Sequence, residues 1–329
     1  MNNILWVSLL AALNGNKMVL ASLEMPPWLK SLSGMDDWPS ADAPYIRESF
    51  HDMSKVRPSI FRESGECGNN MIDGNDICSF DCDRCVSPND IISCAQLSQS
   101  FDDGPSVNTL RLLDGLRKTN IKSTFFLIGT NVIEFPEIVR QENMERHELA
   151  VHTWSHKFLP SLSDEDVFAE LQWCIWAINA STNVVPKYFR PPYGGLDNRI
   201  RDIATQLGLQ VVLWDHDTHD WMVESGMRTK NEIYADIQEL LESMPEKSTR
   251  KGLILEHDLT SESIDIALEI SEQIGCNQLT ISRCRGGFSD TQGQRLQGDT
   301  HLSMDIPNKK EGGRTSRIRK FFGLFSNWK

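Results

Sequence analysis

The chain has 329 residues, of which 40% are hydrophobic and 24% charged, as is typical of a soluble globular protein with one large domain or two smaller ones. Its formal net charge of −13 argues against nucleic acid as a partner, because proteins that bind nucleic acid present basic surfaces. The negative charge is compatible with a neutral or cationic polymer.

Residues 1–21 are interpreted as a secretory signal peptide. Their apolar stretch at 4–13 is too short to span a bilayer, and small residues follow at 21–22. Because no basic residue precedes that stretch and residues 14–17 interrupt it, a disordered apolar terminus is the alternative. No later segment approaches the roughly 18 uninterrupted apolar residues of a membrane helix, so we expect no membrane span.

Cysteines are concentrated before the middle of the chain. Eight are present in all, at positions 67, 78, 82, 85, 94, 174, 276 and 284. With a signal peptide, the dense segment at 67–96 predicts a disulfide framework, and we name it the Cys-rich collar. A zinc knuckle around Cys78, Cys82 and Cys85 is the alternative. Residues 22–66 are rich in Pro, Ser, Asp and Trp without a sustained period, so we expect an extended, surface-hugging arm.

From residue 97 onward, short apolar runs alternate with amphipathic ones. Candidate strands lie at 97–101, 123–129, 148–152, 188–190, 210–215, 253–257 and 279–282. Candidate helices lie at 108–118, 136–145, 163–179, 198–207, 230–244 and 261–274. This alternation predicts an α/β fold with a parallel sheet, open or closed into a barrel, over residues 97–286. The tail at 287–329 is polar and later basic, which favours disorder.

Two adjacent carboxylates, Asp102 and Asp103, follow the first candidate strand. Gly104 and Pro105 come next, so a simple turn is one interpretation. Because a turn can also bring both carboxylates to one cavity, the other is that one binds a metal ion and its neighbour accepts a proton.

His152 and His156 follow another candidate strand, four residues apart, so that both imidazoles can reach one cation. With Asp103 they form two histidines and a carboxylate, the ligand number of a catalytic zinc site with an open position. Asp102 would then be free to act as general base. Taken alone, such a histidine pair is more often an ordinary surface or core feature.

Three more candidate strands end in polar residues. Arg190 precedes two prolines and can orient a carboxylate through its guanidinium, although a rigid loop is the simpler reading. Residues 215–220 contain several acidic side chains and two histidines, His216 and His219, which are rival candidates for metal ligands. His257 can protonate a leaving group, but a lone histidine is usually structural. Together these strand ends favour a metal-dependent hydrolase.

The segments SFDDGP, HTWSH, RPPYG, DTHDW and LEH stand in the order of the five motifs of the polysaccharide deacetylase family (NodB-homology, carbohydrate esterase family 4). The flanks STFFLIG, VVLWDHDTHDW and GLILEHDL, and the run CSFDCDRC, resemble the yeast-type fungal chitin deacetylases. The resemblance covers about residues 25–286.

This resemblance implies a distorted (β/α) barrel with fewer than eight regular units, preceded here by the Cys-rich extension. It implies hydrolysis of the N-acetyl groups of chitin or chito-oligosaccharides to chitosan and acetate, with one divalent metal ion, zinc or cobalt. We therefore expect a secreted, monomeric enzyme of the cell wall or spore wall. The catalytic motifs do not distinguish chitin from peptidoglycan or xylan, and a non-catalytic chitin-binding wall protein is the alternative of another class.

The resemblance also implies a role for each matching residue. Asp102 resembles the catalytic base, Arg190 the residue that holds it, and Asp103, His152 and His156 the metal ligands. His257 resembles the general acid and Asp220 its partner. The backbone N–H of Tyr193 resembles the oxyanion donor, Trp221 a wall of the pocket, and Leu255 the lining around the acetyl methyl.

Cys174 and Cys276 lie outside the pattern of the family. They either pair with each other or remain buried thiols. The other six cysteines are disulfide candidates: Cys67, Cys78, Cys82 and Cys85 can pair within the collar, and Cys94 can join Cys284 across the barrel. Asn179 begins an Asn-Ala-Ser sequon and is a candidate glycosylation site.

Overall fold

A computed structural model describes residues 22–46, 52–68, 71–72, 75–246 and 249–284. The predicted signal peptide at 1–21 and the predicted tail at 287–329 lie outside the described residues. Within the described ranges, no helix is both long and apolar enough to cross a membrane.

Helices and strands alternate through most of the described chain. The strands are β1 (Met71–Ile72), β2 (Asn75–Asp76), β3 (Ser98–Asp102), β4 (Thr124–Leu127), β5 (Glu148–Val151), β6 (Tyr188–Phe189), β7 (Gln210–Val211), β8 (His216–Asp217) and β9 (Leu253–His257). The α-helices are α1 (Pro27–Ser33), α2 (Phe80–Asp83), α3 (Thr109–Thr119), α4 (Gly129–Glu134), α5 (Pro136–Met144), α6 (Asp164–Thr182), α7 (Asn198–Gln206), α8 (Lys230–Ser243), α9 (Ser261–Ile274) and α10 (Ile281–Cys284).

Seven strands form one parallel sheet in the order β7-β6-β5-β4-β3-β9-β8. The central strands β3 and β4 are buried along their whole length, because helices cover one face and the other faces the barrel interior. The sheet curls, and the chain from β7 to β8 runs between its two edges. This is the distorted (β/α) barrel of the predicted fold class, and it gathers the carboxyl ends of its strands on one side.

The segment predicted as a single strand at 210–215 is interrupted. Val212 forms an isolated bridge with Ile91, and the amide of Asp215 donates to the carbonyl of Leu253 at 3.3 Å. The chain therefore leaves one edge strand at Val211 and joins the other at His216. The prediction of one continuous strand was wrong because these residues cross the gap between the edges of the sheet.

The strand predicted at 279–282 is also absent, although its apolar side chains are buried or partly buried. Its backbone amides bond to side chains at the amino-terminal ends of the sheet instead of to another strand. The pairs are Leu279 to Ser98 Oγ at 2.9 Å, Ile281 to Thr124 Oγ1 at 3.0 Å and Ser282 to Glu148 Oε2 at 3.0 Å. The segment crosses these strand ends and finishes in α10.

The amino-terminal arm packs against α6, and it is not wholly extended because it contains α1. Leu29 on α1 is buried in the main core, and Trp38 stacks on Trp154 with 6.0 Å between ring centroids. Trp173 and Trp176 of α6 are buried as well. A helix that is apolar on most of its circumference needs cover on both sides, and the arm supplies the outer cover.

Three disulfides join the six candidate cysteines. Cys67 bonds to Cys82, Cys78 to Cys85, and Cys94 to Cys284. The zinc-knuckle alternative is therefore wrong, because its three thiols are consumed in disulfides.

The two remaining cysteines do not pair. Cys174 is a buried thiol whose Sγ lies 3.1 Å from the carbonyl oxygen of Leu127. Cys276 is exposed, so the expectation of a buried thiol was wrong for this residue.

Candidate metal centre and active site

The carboxylate pair lies where β3 ends. Asp102 is the last residue of that strand, and Asp103 has a φ of +74°. Successive strand residues point to opposite faces, so the left-handed backbone at Asp103 changes the direction of its side chain. Close packing limits the next position to glycine, because a Cβ on Gly104 would lie 2.4 Å from Oδ1 of Asp258.

The two histidines of the 152–156 segment lie against Asp103. Its Oδ1 is 3.3 Å from Nε2 of His152 and 3.1 Å from Nε2 of His156. Nδ1–H of His152 donates to the carbonyl oxygen of Arg190 at 2.8 Å, so the Nε2 lone pair faces the carboxylate. Nδ1 of His156 lies 3.2 Å from the hydroxyl of Tyr193, and the Nε2 of this ring faces Asp103.

These three side chains fit one divalent cation. Ligand atoms at about 2.0–2.2 Å from a tetrahedral zinc lie roughly 3.3–3.6 Å apart, close to the two separations between Asp103 and the histidines. Oδ1 of Asp103 is buried and accepts no hydrogen bond from any described residue. Burial alone would raise the pKa of Asp103, but the His152 and His156 rings, when they carry a proton on Nε2, hold that pKa well below its usual range. An ionised, buried oxygen facing two imidazole nitrogens is a metal-binding arrangement.

Asp102 is held beside this cluster by a buried arginine. Nη1 of Arg190 donates to Oδ1 of Asp102 at 2.6 Å, and Nη2 donates to the hydroxyl of Ser100 at 2.9 Å. The guanidinium also lies over the ring of Phe126, 4.0 Å from its centroid. Oδ2 of Asp102 is left facing the histidines, 3.7 Å from Nε2 of His152. The arginine thus fixes one carboxylate oxygen and leaves the other directed at the cluster.

His257 and Asp220 form a second pair of charged groups on the same side of the barrel. In the parallel register, His257 at the end of β9 is the partner of Asp102. Oδ1 of Asp220 lies 2.7 Å from Nδ1 of His257, and Oδ2 accepts from the amide of His257 at 2.8 Å. Burial would lower the pKa of His257, but the Asp220 carboxylate raises it to about 10. The imidazole therefore carries a proton at neutral pH.

Two aromatic side chains are exposed next to these polar groups. Tyr193 has a φ of +60° and is 62% exposed, and Trp221 directly follows Asp220 and is 49% exposed. Leu255 is buried two residues before His257. Flat exposed rings beside a recessed polar cluster suit a sugar substrate, because an aromatic face combines a large apolar area with a polar edge.

The other residues predicted from the sequence lie outside this cluster. His216 and His219 were considered as rival ligands, but His219 contacts Asp217 and His216 lies 3.8 Å from Asp215. Asn179 is partly buried near the end of α6, with its Nδ2 3.4 Å from the carbonyl oxygen of Val184.

Three residues that support the site were not singled out from the sequence. Ser100 accepts a hydrogen bond from Arg190, and its place in the same segment as the Asp pair could have indicated a role in the site. Asp258 accepts a short hydrogen bond from Thr109 and packs under Gly104, and burial raises its pKa to about 7. Glu170 on α6 accepts hydrogen bonds from the 152–156 segment. For Asp258 and Glu170 the sequence carried no local signal, because each contact joins distant elements.

Comparisons with known proteins show similarity in sequence and in fold. Residues 93–212 match the family model described as polysaccharide deacetylase. Chitin deacetylase 2 of Saccharomyces cerevisiae is 43% identical over 264 residues, which are 80% of this chain and 81% of that protein. Chitin deacetylase 1 of the same yeast is 43% identical over 282 residues, or 84% of this chain and 89% of that protein. The solved peptidoglycan deacetylase PdaC from Bacillus subtilis superposes with a TM-score of 0.50 at 30% identity, covering 60% of this chain and 92% of that one.

Proposed function

The chain belongs to the polysaccharide deacetylase family, and we therefore propose that it hydrolyses the N-acetyl groups of N-acetylglucosamine units in chitin. The products are chitosan and acetate. The observation that carries the proposal is the convergence of Asp103, His152 and His156 beside a carboxylate held by an arginine and a histidine charged by an aspartate. Chitin as substrate is supported by the two yeast relatives, whose match extends over four fifths of this chain or more.

One divalent cation, zinc or cobalt, would be held by Asp103, His152 and His156. When bound, it supplies Lewis-acid polarisation of the amide carbonyl and makes a water molecule more acidic. Asp103 contributes the negative charge of this ligand set, and the two imidazoles contribute neutral nitrogen donors. Arg190 holds one histidine through its carbonyl oxygen and the base through its guanidinium, which couples the positions of the two groups.

Asp102 accepts the proton of the attacking water through the oxygen that Arg190 leaves free. The backbone N–H of Tyr193 donates to the oxyanion that develops on the acetyl carbonyl, which is where a fixed donor stabilises the transition state. His257 then gives its proton to the departing amine, and Asp220 keeps that ring charged and oriented. Trp221 forms a wall of the sugar pocket, and Leu255 lines the space for the acetyl methyl.

Replacing Asp220 by Asn is expected to shift the alkaline limb of kcat/KM to lower pH by at least about one unit, because loss of an adjacent opposite charge lowers the pKa of the general acid. Burial lowers the pKa of His257, but Asp220, with smaller contributions from Asp103 and Asp102, raises it from 6.5 to about 10, so the catalytic proton is lost only above neutral pH in the wild type. The measurement is kcat/KM against pH for acetate release. Asp217→Asn, which removes the carboxylate beside His219, is the control and should leave the limb in place. An unshifted limb in Asp220→Asn would refute the assignment of His257.

We also propose that the protein is secreted and acts in formation of the cell wall or spore wall as a monomer. The three disulfides support an oxidising compartment. The proposed organisation is a signal peptide at 1–21, the arm and collar at 22–96, the deacetylase barrel at 97–286 and a polar tail at 287–329. Asn179 is proposed as a glycosylation site, testable by mass spectrometry before and after glycosidase treatment.

The substrate is tested by acetate release from chitin oligomers of increasing length, acetylated xylan and peptidoglycan fragments. We expect the highest kcat/KM on chitin oligomers. A preference for peptidoglycan or xylan would be consistent with the proposed deacetylation but would contradict chitin as the substrate. Binding to chitin without acetate release from any of the three would favour a non-catalytic wall protein.

A further inference from the structure

A buried carboxylate supports the segment that carries both histidines of the cluster. Glu170 lies within α6 and is 1% exposed. Its Oε2 accepts from the backbone amides of Trp154 at 2.9 Å and Ser155 at 2.8 Å, and its Oε1 accepts from the Ser155 hydroxyl at 2.6 Å. All three donors belong to residues between His152 and His156.

The backbone of that segment needs such support because it is locally unfavourable. Thr153 has a φ of +69° and His156 a φ of +60°. The left-handed region is disfavoured for residues with a side chain, and a β-branched residue such as threonine rarely adopts it. Conformations of this kind persist where surrounding contacts over-determine them.

The contacts around the segment are divided between two helices. The carbonyls of Thr153 and Trp154 accept from the amides of Gly129 and Thr130, at 2.9 Å and 3.0 Å, at the start of α4. Glu170 supplies the acceptors for the amides on the other side. Lys157 Nζ lies 3.7 Å from Oε1 of Glu170, so a cation stands near this buried carboxylate. Ionised acceptors form stronger hydrogen bonds than neutral ones, which suits a segment held against its own preference.

We propose that Glu170 is a positioning residue for the metal centre: its carboxylate fixes the turn between His152 and His156, so that both Nε2 atoms face Asp103. This inference rests on the proposed function, since it takes the two histidines as ligands. Glu170 is buried and is not one of the three proposed ligands. Its effect is on how well the ligand set is formed before the metal arrives.

The test compares metal binding by the wild type, Glu170→Gln and Glu170→Ala. Each protein is stripped of metal, and its Kd for zinc is measured by competition with a chromophoric chelator. Glu170→Ala is expected to bind zinc at least about 10-fold more weakly, in the range seen when outer-shell partners of metal ligands are removed. Glu170→Gln keeps the shape and an acceptor oxygen, so its loss is expected to be smaller. The visible spectrum of the cobalt-loaded proteins reports the altered ligand geometry independently of activity.

Gln172→Ala is the matched control. Gln172 is buried two residues further along α6, and its Oε1 accepts no hydrogen bond from any described residue. This variant removes a side chain of the same size from the same helix, and no hydrogen bond joins Gln172 to the 152–156 segment within the described residues. Its zinc affinity and cobalt spectrum are expected to match the wild type, and thermal unfolding of the metal-free proteins shows that each variant is folded.

These measurements distinguish the positioning role of Glu170 from the proposed function of the metal centre. Wild-type zinc affinity in both Glu170 variants, or equal weakening in Gln172→Ala, would overturn the positioning role. If Glu170→Ala does not fold, Glu170→Gln decides, since an unchanged Kd and cobalt spectrum there also overturn it. Failure of the wild type itself to bind zinc would contradict the proposed function as well.

Discussion

Replacing Asp102 by Asn is expected to lower kcat/KM for acetate release by about 1000-fold while the affinity for zinc stays close to that of the wild type. Asn keeps the shape of the side chain and an acceptor for Arg190 but cannot take a proton from water, and general-base catalysis contributes about 10²–10⁴-fold. The unchanged affinity is expected because Asp102 is bonded to the guanidinium, whereas Asp103 faces the histidines. The measurement pairs steady-state kinetics with zinc titration of the metal-free protein.

Asp103→Asn is the matched control for the neighbouring position. It removes the charge of the ligand set, so zinc affinity and activity are expected to fall together. Thermal unfolding of Asp102→Asn shows whether the buried guanidinium of Arg190 tolerates a neutral partner, and thermal unfolding of Asp103→Asn shows whether that variant is folded. If Asp102→Asn lost zinc as completely as Asp103→Asn, the division of the pair into a base and a ligand would be wrong.

Removing the disulfide between Cys94 and Cys284 is expected to lower the free energy of unfolding by about 2–5 kcal/mol, with urea denaturation as the measurement. The bond spans 190 residues and joins a residue shortly before the first barrel strand to the end of α10. A long closed loop restricts the unfolded chain most, so this bond should contribute more than the two bonds within the collar. The change is Cys94→Ala together with Cys284→Ala.

Cys276→Ser controls for the loss of a sulfur atom, because Cys276 is exposed and unpaired. Its urea midpoint is expected to equal that of the wild type. The midpoint of the double variant is expected at a lower urea concentration with the activity of the folded enzyme retained, since neither cysteine contacts the site. Equal midpoints for all three proteins would show that this closure does not contribute to stability.

The strand ends that carry the site were predictable because their signals are local. A short apolar strand followed by polar residues is visible within about six positions, as at Ser98–Asp102 and Leu253–His257. The helix predicted at 163–179 was also found, as Asp164–Thr182, because Ser163 caps it and acidic residues occupy its first turn. Parallel alternation then places all the strand ends on one side.

The parts that escaped prediction depend on contacts between distant residues. The 279–282 segment has the apolar pattern of a strand, but its amides find Ser98, Thr124 and Glu148 as partners. The helix α1 is held by packing against α6, which no periodicity in the arm reveals. In the sequence, Glu170 looks like an ordinary polar residue of a helix. Its role is apparent only from the structure, in which the 152–156 segment lies against it.

Zinc titration of the metal-free protein, with chitin oligomers as substrate, tests the proposed metal centre most directly. Acetate release is expected to be negligible without metal, to rise in proportion to added zinc, and to stop rising at one equivalent per chain. His152→Ala, which lacks one proposed ligand, should show no such saturation at one equivalent. Full activity in the presence of a chelator that removes all metal, or an unchanged titration in His152→Ala, would contradict the proposed metal centre.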